Sequence, residues 1–180
     1  MTRIRPAQPA MMGGTKTATP IERPSVLSAL VRRAKRPLLV VGHRALRARG
    51  NGEREIDLLA RAALAAGIPV AATGDAGPAL QAAGLEPAIC TSAMNLGGLL
   101  ADPGWPGVDD QGPHDVIFVA GLVYALEWTL LSGLRHAPSH PVTVSLSPAF
   151  EPHASFSVPN LAWPAWRALI AEGFGLEGPA

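Results

Sequence analysis

Apolar positions along this chain follow two patterns in turn, a helical spacing and short continuous runs, and their alternation lays out helices and strands in succession. Starting at Ser25, which is placed to cap a helix, Val26, Ala29, Leu30 and Ala34 recur at helical spacing. Pro37 ends that helix, because the residue before a proline disfavours helical geometry. Residues 38–41 form a continuous apolar, partly β-branched run closed by Gly42, the pattern of a strand covered on both faces. Residues 53–66 put Ile56, Leu59, Ala60 and Ala63 on one helical face, and Gly67 caps the end. A second strand follows over 68–72, with Pro69 at its first pairing position or on an edge, since proline donates nothing to a ladder.

A short helix over 76–83, an extended piece over 88–90 and a helical stretch over 92–101 lead into a Pro/Gly-rich loop, residues 102–113. The clearest strand, 115–121, is followed by a helix over 123–134 and a strand over 141–146. Residues 147–161 read as irregular with short extended pieces, and Trp163, Trp166, Leu169 and Ile170 share helical spacing in a terminal helix. Strands joined through helices require crossovers, so the expected fold is α/β: a single domain over 24–180 with a doubly wound parallel sheet, Rossmann-like in topology. Residues 1–23, with their prolines and paired glycines, are expected to form an arm that stays mobile or packs on a partner.

Composition narrows the function classes. With 48% hydrophobic and 16% charged residues among 180, the chain has the makings of one core, and a mean hydropathy of +0.20 leaves room for a partner to cover part of its surface. The apolar stretch over 116–131 is broken by Gly121 and Glu127, short of the about 20 residues a membrane span needs. The N-terminus lacks the apolar core of a secretory signal, so a cytoplasmic location is expected. One cysteine, Cys90, gives neither a disulfide nor an iron–sulfur cluster held by this chain alone. The basic residues Arg32, Arg33, Lys35, Arg36, Arg44, Arg47 and Arg49 are expected near one end of the sheet, without the aromatic platforms of a nucleic-acid binder.

In an open α/β sheet, ligands sit beyond the carboxyl ends of the strands where the strand order reverses. Here those ends carry Gly42, His43, Thr73, Gly74, Gly121 and Ser145, the candidate cofactor-binding set; the competing reading gives the glycines only tight turns to make. No G-x-G-x-x-G follows the first strand, Gly50 and Gly52 lie too far past it, and no Walker pattern or nucleophile elbow occurs. The histidines, His43, His114, His136, His140 and His153, are scattered without metal-ligand spacing, so no metal site is expected. Asp109 and Asp110 read as turn residues, and no catalytic set is assigned. Trp105, held between prolines and glycines, either plugs the domain's own core or docks on a neighbour.

Four stretches in this order carry a family resemblance: residues 34–42 (AKRPLLVVG), 67–74 (GIPVAATG), 101–109 (ADPGWPGVD) and 114–121 (HDVIFVAG), with residues 151–161 (EPHASFSVPNL) matching the segment before the last helix. Together they resemble the epsilon subunit of the acetyl-CoA decarbonylase/synthase complex, the small subunit of a carbon monoxide dehydrogenase. Departures are a longer proline-rich N-terminus, an arginine-rich segment over 44–54 and an apolar stretch over 123–127. The resemblance implies a domain similar to the NAD/FAD-binding domain of deoxyhypusine synthase and to the middle domain of thiamine-diphosphate enzymes. It further implies a non-catalytic accessory subunit beside a large nickel–iron/iron–sulfur catalytic subunit. Separately, the prolines and glycines of the 102–109 loop can hold Trp105 in one orientation, so this loop, with Asp102, Trp105 and Asp109, is expected to face a partner or cover a ligand. Two alternatives stay open: a small electron-transfer protein binding FAD or NAD at the strand ends, and a detached domain serving oligomer contacts only.

Overall fold

The computed structural model describes residues 17–49 and 52–176. Of the expected arm, residues 1–16 lie outside the described residues, as do Gly50 and Asn51 of the arginine-rich segment. The elements run β1 (Thr19–Pro20), α1 (Pro24–Arg33), β2 (Pro37–Val41), a 3-10 turn (His43–Leu46), α2 (Glu55–Ala66), β3 (Val70–Thr73), α3 (Ala76–Ala82), β4 (Ile89–Thr91), α4 (Ala93–Ala101), β5 (Val116–Ala120), α5 (Tyr124–His136), β6 (Val142–Ser145), β7 (Phe156–Ser157) and α6 (Trp163–Gly173).

The strands form one seven-stranded sheet in the order β1-β7-β6-β5-β2-β3-β4, and every neighbouring pair is parallel. Read from β4 to β7, this is the classical Rossmann order, which reverses between β2 and β5. Pleating divides the core cleanly. Leu39, Val41, Val70, Ala72, Phe118, Ala120 and Val144 face α1, α2, α3 and α6, whereas Leu38, Val40, Ala71, Ile117 and Val119 face α4 and α5. Two covered faces explain why the central strands read as unbroken apolar runs.

Three local expectations change. α1 starts at Pro24, whose fixed φ suits the first helical turn, so its cap is Arg23 with no side-chain bond and Ser25 lies inside the helix. Residues 17–23 are not free of the sheet: β1 pairs with β7 at one edge, and Ala18 and Ile21 are buried. The basic residues do not share one end of the sheet. Arg32 to Arg36 precede β2 and Arg44, Arg47 and Arg49 follow it, so five extended residues, roughly 17 Å, separate the two groups. No helix among the described residues is long and apolar enough to cross a membrane.

Candidate functional site at the strand reversal

At the carboxyl ends of β2 and β5 the two strands approach so closely that only glycine fits. A Cβ on Gly42 would lie 2.3 Å from the Gly121 carbonyl oxygen, and Gly121 has φ +71 and faces Ala45. The amides beyond β2 are already taken, since Arg44 N–H donates to Gly121 O at 2.8 Å and Ala45 N–H to Gly42 O at 3.1 Å. Of the candidate set, Gly42, His43 and Gly121 thus meet at the crevice. Gly74 comes within 3.7 Å of His43 Cβ, measured to its would-be Cβ, and Thr73 is buried with its hydroxyl 3.4 Å from Val41 O. Ser145 belongs to a different cluster beneath the crevice.

That cluster is built on α5. Glu127 sits in its first turn, where the helix dipole favours negative charge, yet it is buried. Ser145 Oγ donates to its Oε1 and Ser147 Oγ to its Oε2, both at 2.6 Å. Burial dominates these two hydrogen bonds and pushes the Glu127 carboxyl up to about 7, with the nearby Glu151 charge acting in the same direction. Glu151 is likewise buried and raised to about 7; its Oε1 accepts from His153 N–H at 3.1 Å. Its Oε2, the Tyr124 hydroxyl and the Trp128 indole N–H are buried without a hydrogen-bond partner among the described residues. The Tyr124 hydroxyl is pushed up to about 12 by burial, then by Glu151 and Glu127. His153 stands edge-on to Trp128 at 4.6 Å, and its imidazole is held below the ordinary range by burial and by Arg135 and His136.

Above this cluster the connection from β2 to α2 opens a cleft of about 190 Å³, in which Arg44, Arg47 and Arg49 face Tyr124, Glu127 and Ser147. Arg49 is fixed: it pairs with the buried carboxylate of Glu55, and its guanidinium lies 5.6 Å from the Trp163 ring centroid. Arg44 and Arg47 have no ion-pair partner among the described residues. The arrangement can attract an anion and hold a proton at neutral pH. Sequence reading missed Tyr124, Glu127, Glu151 and the arginines as a group. The available signal was Glu127 itself, a lone charge inside an otherwise apolar helical stretch.

The residues expected to face a partner lie at the opposite end of the sheet. Asp102 is exposed and accepts from Gly104 N–H at 2.8 Å, closing its own turn. Asp109 is exposed and ion-paired with Arg36, which holds its carboxyl below the usual range. Trp105 is half-buried, packed on the α4–α5 side of the core with its ring 5.7 Å from that of His114. His114 is itself buried, accepts from Val108 N–H at 3.2 Å through Nε2, and is held below its ordinary range by burial. Trp105 therefore combines a packing contact with a partly open face. Among the described residues, no group of histidines, cysteines or carboxylates is placed to hold a metal ion.

The sequence matches, over residues 1–172, the family described as CO dehydrogenase beta subunit/acetyl-CoA synthase epsilon subunit. It is 31% identical over 164 residues to the acetyl-CoA decarbonylase/synthase complex subunit epsilon of Methanothermobacter thermautotrophicus, covering 91% of each chain. It is 35% identical over 141 residues to epsilon subunit 1 of that complex in Archaeoglobus fulgidus, covering 77% of this chain and 73% of the relative. Against epsilon subunit 1 of Methanosarcina barkeri it is 31% identical over 150 residues, 83% of this chain and 84% of the relative.

Proposed function

Because the chain belongs to the CO dehydrogenase beta subunit/acetyl-CoA synthase epsilon subunit family, we propose that it is a subunit of an acetyl-CoA decarbonylase/synthase-type complex. Its role there is non-catalytic: it docks on the large nickel–iron/iron–sulfur subunit in the cytoplasm and stabilises it. The family match across residues 1–172 carries this reading. The docking surface proposed is the 102–109 loop, where Trp105 offers a preset aromatic face beside Asp102 and Asp109.

Affinity purification of the tagged chain from its native cells tests the assignment. The expected result is co-purification of a nickel- and iron-containing large subunit at fixed stoichiometry; a chain that elutes alone at every ionic strength overturns it.

The FAD- or NAD-binding reading is weaker on geometry. A dinucleotide in this fold lays its pyrophosphate on a glycine turn and a helix N-terminus. Here the Gly42–Gly121 contact closes that turn, the Arg44 and Ala45 amides bond within the chain, and α2 begins only at Glu55. No electron-transfer step is therefore assigned to this chain's residues.

A further inference from the structure

We propose that the cleft beyond β2 and β5 is a binding site for a phosphate or diphosphate group, held by the side chains of Arg44, Arg47 and Arg49 and by the Tyr124 hydroxyl rather than by a glycine turn. The site is independent of the docking reading, since it lies at the opposite end of the sheet from the 102–109 loop.

Three observations carry it. The first is donor excess. Three guanidinium groups line the cleft against two carboxyls, Glu55 and Glu127. Glu55 is already neutralised by Arg49, and both oxygens of Glu127 accept from serine hydroxyls. Arg44 and Arg47 are left without an ion-pair partner among the described residues, and the Tyr124 hydroxyl, buried at the cleft wall, has none for its proton. A group with several charged oxygens and no donors answers this set better than a single carboxylate, because guanidinium forks match phosphate oxygens two at a time.

The second is size. About 190 Å³ is below the roughly 300 to 1,000 Å³ of sites that enclose drug-sized ligands, so the cleft fits a phosphate group and little of what it is attached to. The third is rigidity. The backbone of residues 44–49 is tethered at both ends, by Arg44 N–H on Gly121 O and by an isolated antiparallel bridge from Ala48 to Arg54. Within it, Arg49 N–H donates to Glu53 O at 2.9 Å. Arg49 is further clamped between Glu55 and the Trp163 ring. The backbone carrying the arginines and the Arg49 side chain are thus positioned before binding, which leaves the Arg44 and Arg47 side chains to be ordered.

Isothermal titration of the purified full chain with inorganic pyrophosphate tests the site, with ADP as a second arm. Saturable pyrophosphate binding is expected, weakened at least tenfold in Arg44→Ala/Arg47→Ala. A control with the same charge loss at the other end of β2, Arg32→Ala/Arg33→Ala, should bind as wild type. Tyr124→Phe, which deletes one donor and keeps the fold's packing, should bind several-fold more weakly and serves if the arginine variant does not fold. ADP binding as tight as pyrophosphate assigns the phosphate to a nucleotide; ADP at least tenfold weaker assigns it to a free or smaller phosphate, and both outcomes support the site. Absence of saturable binding at millimolar pyrophosphate, or equal losses in the cleft variant and the control, overturns it.

Discussion

The two ends of the parallel sheet are built on opposite terms. At the amino end, the 102–113 loop satisfies itself. Arg36 is paired with Asp109 and donates to Gly112 O, His114 accepts from Val108 N–H, and Gly112 N–H reaches Pro106 O at 2.7 Å. Gly107 is packed so tightly there that a Cβ would lie 2.4 Å from Gly112 O. At the carboxyl end, Arg44 and Arg47 face a cleft, two buried carboxyls are shifted towards neutrality, and Tyr124 and Glu151 keep buried polar atoms without partners among the described residues. Buried polar groups are nearly always satisfied, so a concentration of exceptions at this end is what the proposed anion site would draw on. The amino end presents a rigid shape, which suits a docking surface.

The contrast can be broken or sharpened by substitution. Gly107→Ala should have the largest effect, because it adds the clash with Gly112 O to a φ of +83, and a loss of about 2 to 4 kcal/mol in chemical denaturation is expected. A variant as stable as wild type would show that the loop is looser than its contacts imply.

Glu127→Gln should act in the opposite direction. Folded Glu127 and Glu151 titrate near 7 against an ordinary 4.5, so the native state holds protons that the unfolded chain has released. Their contribution is therefore fully present below the unfolded value and is lost as pH rises through about 7. Wild-type stability should fall between about pH 5 and pH 8. The glutamine variant should flatten that slope and gain about 1 to 3 kcal/mol at the upper end. A slope that Glu127→Gln leaves unchanged would place the proton elsewhere.

Trp105→Ala should cost about 1 to 2 kcal/mol in stability, less than the about 3 to 5 expected of a fully buried tryptophan, because one face is open. It should also weaken binding of the large subunit at least tenfold. Wild-type affinity in this variant would move the docking surface away from the loop. The smallest change is expected of Arg44→Ala/Arg47→Ala, whose melting should stay within about 0.5 kcal/mol of wild type, as for surface charges without partners.

The sheet was legible because both of its faces are covered: a run such as residues 38–41 then has to be apolar throughout, and a parallel neighbour has to be reached through a helix. The crossovers implied a parallel doubly wound sheet, but the order of its strands was first seen in the structure. What could not be read was convergence. Arg44 to Arg49, Glu127, Ser147 and Glu151 lie up to about a hundred positions apart in sequence and meet only because β2, β5 and β6 end side by side. Ser145 lies at a strand end as expected, but its partner there could not be read: its hydroxyl donates to Glu127 Oε1 at 2.6 Å. The edge strand β1 was missed because two residues, one of them proline, carry no periodicity.

The central claim, that this chain stabilises a metal-bearing catalytic partner without adding chemistry of its own, is tested most directly by the lifetime of that partner's carbon monoxide oxidation. The purified large subunit should be incubated at its working temperature with and without an equimolar amount of this chain, and activity followed over time. The account predicts an unchanged initial rate and a half-life at least severalfold longer when the chain is present. An unchanged half-life would contradict it, as would carbon monoxide oxidation by this chain alone.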